Sequence, residues 1–293
     1  MTPAPAPLAD PARRALTRFN AAAGMLLLVA GGMVTSTNSG LAVPDWPLSY
    51  GQWLPKMAGG VFFEHGHRMI AAAVGFLILA TAVWTQLEET RPAVRRLAWW
   101  TLGLVILQGV MGGITVYFGL PVLVSSAHAV LGQSLFCLLV VMAEVTNSVS
   151  APSVAARNGA ETVGRTKWIG VFAVAALWGQ LVMGAIMRHG GSGIVWHLLG
   201  AAVAAPAAGW LGAAALARRE PGLNGPAGAL LGLLAAQLTL GLATADFRSM
   251  PSPRTNHVMI SVATIHLAVG ALLLGTAVLL TFRLFRLENE PAV

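Results

Sequence analysis

The sequence predicts an all-α membrane protein of eight transmembrane helices in two pseudo-symmetric four-helix bundles. Three observations carry this. Of 293 residues, 56% are hydrophobic and only 10% charged, with a mean hydropathy of +0.71, whereas a soluble domain carries about 25% charged residues. Lipid must therefore be the solvent for much of the chain. A hydrocarbon core of about 30 Å takes about 20 apolar helical residues to cross, and eight stretches meet that length. Finally, the second half of the chain repeats the first.

The eight stretches are 19–37, 67–87, 97–117, 121–143, 168–187, 193–216, 227–247 and 257–282, with turn signals such as Gly119-Leu120-Pro121, Gly190-Gly191-Ser192-Gly193 and Pro251-Ser252-Pro253 between them. The first is longer than a signal-peptide core and no small-residue cleavage site follows it, so it reads as a retained helix. This divides the chain into a tail 1–18, a first bundle 19–143, a polar linker 144–167, a second bundle 168–282 and a tail 283–293.

Charge sets the orientation. Arg13, Arg14, Arg18, Arg91, Arg95, Arg96, Arg157, Arg165, Lys167, Arg218, Arg219, Arg283 and Arg286 fall on the side of the N-terminus. Only Lys56, Arg68, Arg188, Arg248 and Arg254 fall on the other. The positive-inside rule then puts both termini in the cytoplasm of a bacterial plasma or inner membrane. The basic excess reports topology, not nucleic-acid binding. The single cysteine, Cys137, excludes an intramolecular disulfide or a multi-cysteine metal site and reads as an inert buried thiol.

The repeat is visible in residues. Gln108-Gly-Val-Met-Gly112 resembles Gln237-Leu-Thr-Leu-Gly241, His128-Ala-Val-Leu-Gly132 resembles His266-Leu-Ala-Val-Gly270, and His67 opens the second stretch as His197 opens the sixth. Four helices separate equivalent positions, so the repeats run parallel about an axis along the membrane normal.

Seven histidines are present. An ionisable side chain in hydrocarbon is costly, so an intramembrane histidine marks a functional site by default. His67 with His128, and His197 with His266, form two matched pairs near the outer ends of their helices. Two axial imidazoles on helices of one bundle suit a haem. Zinc fits worse, because each half has few acids or thiols to complete a tetrahedron. Gly132 and Gly270, four residues after a histidine, would leave room for a porphyrin. His65, His189 and His257 are expected at outer helix ends or in loops, in surface or interfacial roles, with propionate contacts beside Arg68, Arg188 or Arg254 as the alternative. The motif Glu64-His65-Gly66-His67-Arg68 is not repeated; Ile194 stands where a second Glu64 would be. A carboxylate beside one pair only makes the two sites chemically different and offers an acid or base there. The outer loop 38–66 is long enough to be a lid over that site.

These residues resemble the haem A synthase family: Thr37-Asn-Ser-Gly-Leu41, Pro44-Asp45-Trp46-Pro47-Leu48, Glu64-x-x-His67-Arg68, Gln108-Gly109 with Gly112-Gly113, and His128, His197 and His266. The resemblance spans about residues 20 to 280. It implies an oxidoreductase that converts the C8 methyl of haem O to the formyl of haem A by successive hydroxylations. It further implies haem b as electron-transfer cofactor on His197 and His266, haem O as substrate on His67 and His128, and Glu64 as the catalytic residue. The implied partners are haem O, an electron donor, haem O synthase or terminal-oxidase assembly proteins, and membrane lipid. Many family members carry a cysteine pair in the first outer loop; here Ala42-Val43 and Ser49 occupy those places. The four histidines alone would equally suit a non-catalytic di-haem cytochrome.

Overall fold

A computed structural model describes residues 10–147, 160–248 and 257–289. Among these are eight helices and no strand: α1 Pro11–Ser36, α2 Gly60–Glu88, α3 Pro92–Tyr117, α4 Val122–Asn147, α5 Ala160–Gly190, α6 Ile194–Ala217, α7 Pro221–Arg248 and α8 His257–Asn289. Every one is long and apolar enough to cross a membrane. The chain is a multi-pass membrane protein.

The helices outrun the apolar stretches, because a helix continues through the headgroup layer where its sequence turns polar. α1 starts at Pro11, with Asp10 as N-cap accepting the Ala12 N–H at 2.9 Å and proline in the first turn, both favoured at a helix start. Residues 11–18, 144–147, 160–167 and 283–289 are therefore helical where a tail or linker was expected, and 148–159 lie outside the described residues. The largest difference is at α2. It begins at Gly60, so His67 does not open its helix but sits about two turns inside it, with Glu64 and His65 in the turn before.

Within the first half α1, α2, α3 and α4 each pack on the next and α4 closes on α1; α5 to α8 do the same. The halves meet through α1–α8, α4–α5 and α4–α8. A two-fold axis exchanging α1 with α5 and α4 with α8 converts the first contact into the second and leaves the third on the axis. Polar ties fasten the seam at both ends. At the outer end Ser36 bonds Thr264 (2.9 Å), and Arg188 donates to Ser36 Oγ (2.7 Å) and the Gly32 carbonyl (3.3 Å). At the inner end Arg283 forks onto Glu144 (2.9 and 2.8 Å). An apolar groove of about 560 Å³ beside the seam is lined by Val171, Trp178, Val278 and Phe282; it holds no imidazole and suits acyl chains.

Lipid is as apolar as leucine, so helices associate in it by close packing of small residues. Ala173, Ala204, Ala207, Ala208, Ala227 and Ala277 are buried with Leu211, Leu230 and Leu280 in the largest cluster. On α6 no described residue before Ala204 is buried. Tight packing thus belongs to the inner part of the second bundle, and the chain loosens towards its histidines.

The inner end of the first bundle is tied by one carboxylate. Glu89 Oε2 accepts from Arg13 (3.2 Å) and Arg91 (2.9 Å), its Oε1 accepts the Arg91 side chain and N–H (2.9 and 3.0 Å), and its carbonyl accepts Arg95. Arg91 also donates to the Val145 carbonyl (3.1 Å). The knot joins α1, the α2–α3 turn and α4. Above all the Arg91 guanidinium holds the Glu89 carboxyl down at about 2, against an ordinary 4.5. A depressed folded value means that this stabilisation is complete above pH 4.5 and is lost as pH falls towards 2. Glu89→Gln should lower stability at neutral pH by about 2–3 kcal/mol and flatten the acid-side loss, as read by thermal unfolding of the detergent-solubilised protein across pH.

Candidate functional site

Each of the four paired imidazoles rests on a glycine of the preceding helix. A Cβ on Gly31 of α1 would lie 3.1 Å from His67 Cε1; one on Gly112 of α3, 3.4 Å from His128 Cε1; one on Gly184 of α5, 2.9 Å from His197 Cε1; and one on Gly241 of α7, 3.3 Å from His266 Cε1. All four glycines lie between about one and two turns before the end of their helix. The histidines thus share a depth, although α2, α4, α6 and α8 begin at different heights. In each half the two rings are within electrostatic reach of one another.

The glycines also open a carbonyl to the ring. In a helix the N–H of residue i bonds the carbonyl of i−4, so Gly31, Gly112 and Gly241 cover the carbonyls of Leu27, Gln108 and Gln237. Those carbonyls face His67, His128 and His266, short of aligned bonding: Nδ1 of all three histidines is buried without an aligned partner.

A second glycine in three of the hairpins seats a glutamine. Gln108 donates to the main-chain carbonyl of His128 (2.9 Å), and Gln180 to that of His197 (2.9 Å). Gln237 Nε2 lies 3.3 Å from His266 Nε2. A Cβ on Gly132 would meet Gln108 Nε2 at 2.7 Å, one on Gly270 would meet Gln237 Nε2 at 3.0 Å, and one on Gly200 would overlap Gln180. Gly132 and Gly270 therefore serve these glutamines, which corrects the expectation that they face a porphyrin. Gln180 was missed in the sequence, though Gln180-x-x-x-Gly184 repeats Gln108-x-x-x-Gly112 and Gln237-x-x-x-Gly241.

The donor set is two imidazoles per half, and the described residues gather no group of three or more His, Cys, Asp or Glu. Imidazoles seated on glycine and presented in pairs, with Nδ1 of His67, His128 and His266 lacking an aligned partner and the ring nitrogens of His197 touched by Gln180 (3.1 and 3.3 Å), fit bis-imidazole ligation of a haem. In such a site His67 and His128 would be the iron ligands in the first half, and His197 and His266 in the second.

Glu64 and the outer loop differ between the halves. Glu64 is buried; its Oε1 accepts Arg68 Nη2 at 2.5 Å and its Oε2 accepts the Val43 N–H at 2.9 Å. Arg68 donates further to the carbonyls of Asp45 (2.6 Å) and Leu48 (2.8 Å). The Asp45 carboxylate caps the turn at Gly51 and Tyr50 (2.8 and 2.7 Å), and these N–H groups, Gly51 first, hold its carboxyl below the ordinary value. Trp46 lies on Gly113, where a Cβ would come within 2.9 Å, next to the glycine that seats His128. Tyr117 donates to the Trp46 carbonyl (2.7 Å). The loop is therefore fastened to α2 and α3 beside the first imidazole pair.

Two of the loop bonds stand where relatives of the resembling family carry cysteines: Val43 on Glu64, and Ser49 Oγ on His65 Nδ1 at 2.7 Å. His65 is accordingly buried within α2, not in a surface role, because the helix starts at Gly60, about two turns before its apolar stretch. His189 lies near the end of α5, within electrostatic reach of His128. His257 is the exposed first residue of α8. Arg68 and Arg188 are engaged with the loop and the seam, and Arg254 lies outside the described residues.

Eight spanning helices among the described residues, in two four-helix bundles with an imidazole pair in each, define a multi-pass membrane protein. The family pattern of the cytochrome oxidase assembly proteins (COX15-CtaA) matches residues 59–197, from the outer loop to His197. The haem A synthase of Symbiobacterium thermophilum is 31% identical over 69% of this chain and 68% of its own length. That of Rhizorhabdus wittichii is 27% identical over 88% of this chain and 92% of its own, and that of Shouchella clausii 30% identical over 44% of each. The chain belongs to the cytochrome oxidase assembly family that includes these haem A synthases.

Arg68 is the hub of the loop contacts. Arg68 serves the two loop carbonyls from Nη1 and Glu64 from Nη2, and a lysine, whose donors all sit on one nitrogen, cannot reach acceptors set out for that fork. Arg68→Lys should speed tryptic cleavage after exposed Lys56 about tenfold, from the loss of one or two charged hydrogen bonds, with helix content unchanged by circular dichroism. Equal cleavage rates would mean that the loop is held elsewhere.

Proposed function

We propose that the protein is a haem A synthase: an oxidoreductase that takes haem O at His67 and His128 and converts its C8 methyl to a formyl group. Family membership supports the reaction. The observation that supports the assignment of roles is the asymmetry at Glu64, because an electron-transfer cytochrome built by duplication has no need for a carboxylate and a fastened loop over one of its two sites. In this reading haem b, held by His197 and His266, supplies one-electron transfer when bound.

The chain's own residues do the rest. The imidazoles of His67 and His128 orient the substrate porphyrin. The loop carrying Trp46, clamped by Arg68, limits water at the reacting edge. Two hydroxylations at the methyl carbon, each turning C–H into C–OH at the expense of an external oxidant (dioxygen, with two electrons from the donor and two protons, leaving water), give a gem-diol, and loss of water from it leaves the aldehyde. Glu64, paired with Arg68, is the group that accepts or returns a proton at this site, and its bond to the Val43 N–H makes its position depend on the loop.

The test is a conservative change. Glu64→Gln keeps the volume and can still accept the Val43 N–H, so helix content and haem b should persist. Conversion of haem O to haem A, measured by pigment extraction, should fall by about two to four orders of magnitude, the usual worth of a positioned acid or base, with the alcohol intermediate accumulating. Ile194→Ala, at the matching place in the other half, should stay within a few-fold of wild type. Undiminished haem A formation in Glu64→Gln would reduce Glu64 to an interfacial residue and remove the asymmetry as support for the assignment of roles, whereas a wild-type chain that forms no haem A from haem O, with haem b still lost in His197→Ala, would leave the di-haem cytochrome as the better reading.

We further propose cytoplasmic termini, supported by the charge asymmetry. Ser49 is buried and unsuited to a label, whereas Lys56 is exposed. A cysteine in place of Lys56 should react with a membrane-impermeant maleimide added outside intact cells. Reaction only after permeabilisation would invert the topology.

A further inference from the structure

We propose that the glutamine amides of α3, α5 and α7 are positioning residues that hold each imidazole's helix, and that Leu27, in the fourth position of the series, leaves His67 the releasable ligand. The first bundle would then exchange its porphyrin while the second retains its own. This rests on the functional reading above and deepens it.

The four helical hairpins are copies of one unit. In α3–α4, α5–α6 and α7–α8 the contact is reciprocal: a histidine sits on a glycine of the earlier helix, and a glutamine four residues before that glycine sits on a glycine of the later helix. Gln108, Gln180 and Gln237 each reach the main chain or ring of the histidine opposite. In α1–α2 only half of this survives. His67 sits on Gly31, but four residues earlier stands Leu27, and Ile70-Ala71 replace the second glycine. Leu27 and Ile70 pack together in an apolar cluster. The departure therefore occurs on both sides of one contact, and His67 is the single imidazole of the four whose hairpin lacks the amide.

The chemistry gives the departure a use. A substrate porphyrin has to enter and a product has to leave, whereas a resident cofactor must stay. Both sites descend from one unit, and among the contacts that hold the four imidazoles the two sites differ where that unit is broken, at Leu27 and Ile70. A polar contact that orients a metal-binding histidine commonly changes affinity by about 10–100-fold, and in lipid a lost amide contact is not replaced by water.

The test uses the full chain in lipid nanodiscs, loaded with haem b (iron protoporphyrin IX) at both sites and mixed with excess apomyoglobin. Transfer is followed by the Soret shift. Wild type should lose haem in two phases, and His266→Ala should remove the slow one. Gln180→Leu should speed the slow phase by about tenfold or more, and Gln237→Leu should do likewise, giving a second variant should either fold poorly by circular dichroism. Leu27→Gln with Ile70→Gly should slow the fast phase by a similar factor. A single phase in wild type, or unchanged phases in the folded variants, would overturn the inference while leaving the functional reading intact. Wild-type haem content in both His197→Ala and His266→Ala would instead remove that reading itself.

Discussion

The structure depends on how an imidazole is accommodated between two helices in a solvent that offers it nothing. Hydrocarbon supplies no hydrogen bonds, and a polar ring can be held there only if a neighbouring helix comes close and exposes a carbonyl. Glycine does both at once. Without a Cβ it admits the ring edge to van der Waals contact, and it uncovers the carbonyl four residues back. Gly31, Gly112, Gly184 and Gly241 each admit a ring in this way, the first, second and fourth with a carbonyl facing it, and the hairpin becomes the repeating unit of the protein. Everything else follows from stacking that unit: two hairpins close a bundle with two imidazoles at one depth, and two bundles meet about an axis passing near the α4–α8 contact.

Tight packing and ligand binding are kept at opposite ends of the helices. The inner end carries the alanine- and leucine-lined clusters, the Thr17–Thr146 bond (2.7 Å), the Asn20–Thr81 bond (2.6 Å) and the Glu89 knot. There the helices are fixed to each other with little regard to what binds between them. Towards the histidines the side chains that fill space are the rings and glutamines themselves, so the geometry of that end is set by a few polar contacts rather than by bulk. Small changes in those contacts can tune a site without unfolding the bundle.

Much of this was legible in the sequence, and the reasons for what was not are specific. Eight spans, the duplication and the two histidine pairs follow from apolar length and repeated residues, which report the lipid environment directly. Helix ends do not: lipid sets the length of an apolar stretch, while caps such as Asp10 and the headgroup layer set the length of the helix, and so α2 was started about two turns late and His65 was left outside. The roles of Gly132 and Gly270 were misassigned because a glycine records only that something is close, never what. Gln180 escaped because its hairpin was compared with the corresponding hairpin of the other half, α1–α2, where Leu27 breaks the pattern; comparing α5 with α3 and α7 would have found it. Ser49 and Val43 could not be read as anchors, since their bonds to His65 and Glu64 join residues 16 and 21 positions apart with no periodicity to announce them.

The loop shows how a duplicated scaffold becomes asymmetric at small structural expense. Glu64 and Arg68 are one turn apart, and together they accept one N–H and supply donors to two carbonyls of the segment 43–48. A buried ion pair of this kind contributes little to stability in its own right, because desolvating both charges offsets most of their attraction. In this arrangement both groups are satisfied by the loop, Glu64 by the Val43 N–H and Arg68 by two carbonyls. The same carboxylate that organises the loop also stands one turn from His67. The positions of the loop and of the carboxylate are thereby coupled through a single residue: removing the Glu64 carboxylate takes away the acceptor of both Arg68 and the Val43 N–H, and moving the loop takes the Val43 N–H from Glu64 and two carbonyls from Arg68. The second bundle has Ile194 at the corresponding place and a connection of three residues between α5 and α6, so it has neither the acid nor a loop to respond to it. The two halves share the means of holding imidazoles, and among the described residues only the first sets a buried carboxylate and a long fastened loop beside its pair.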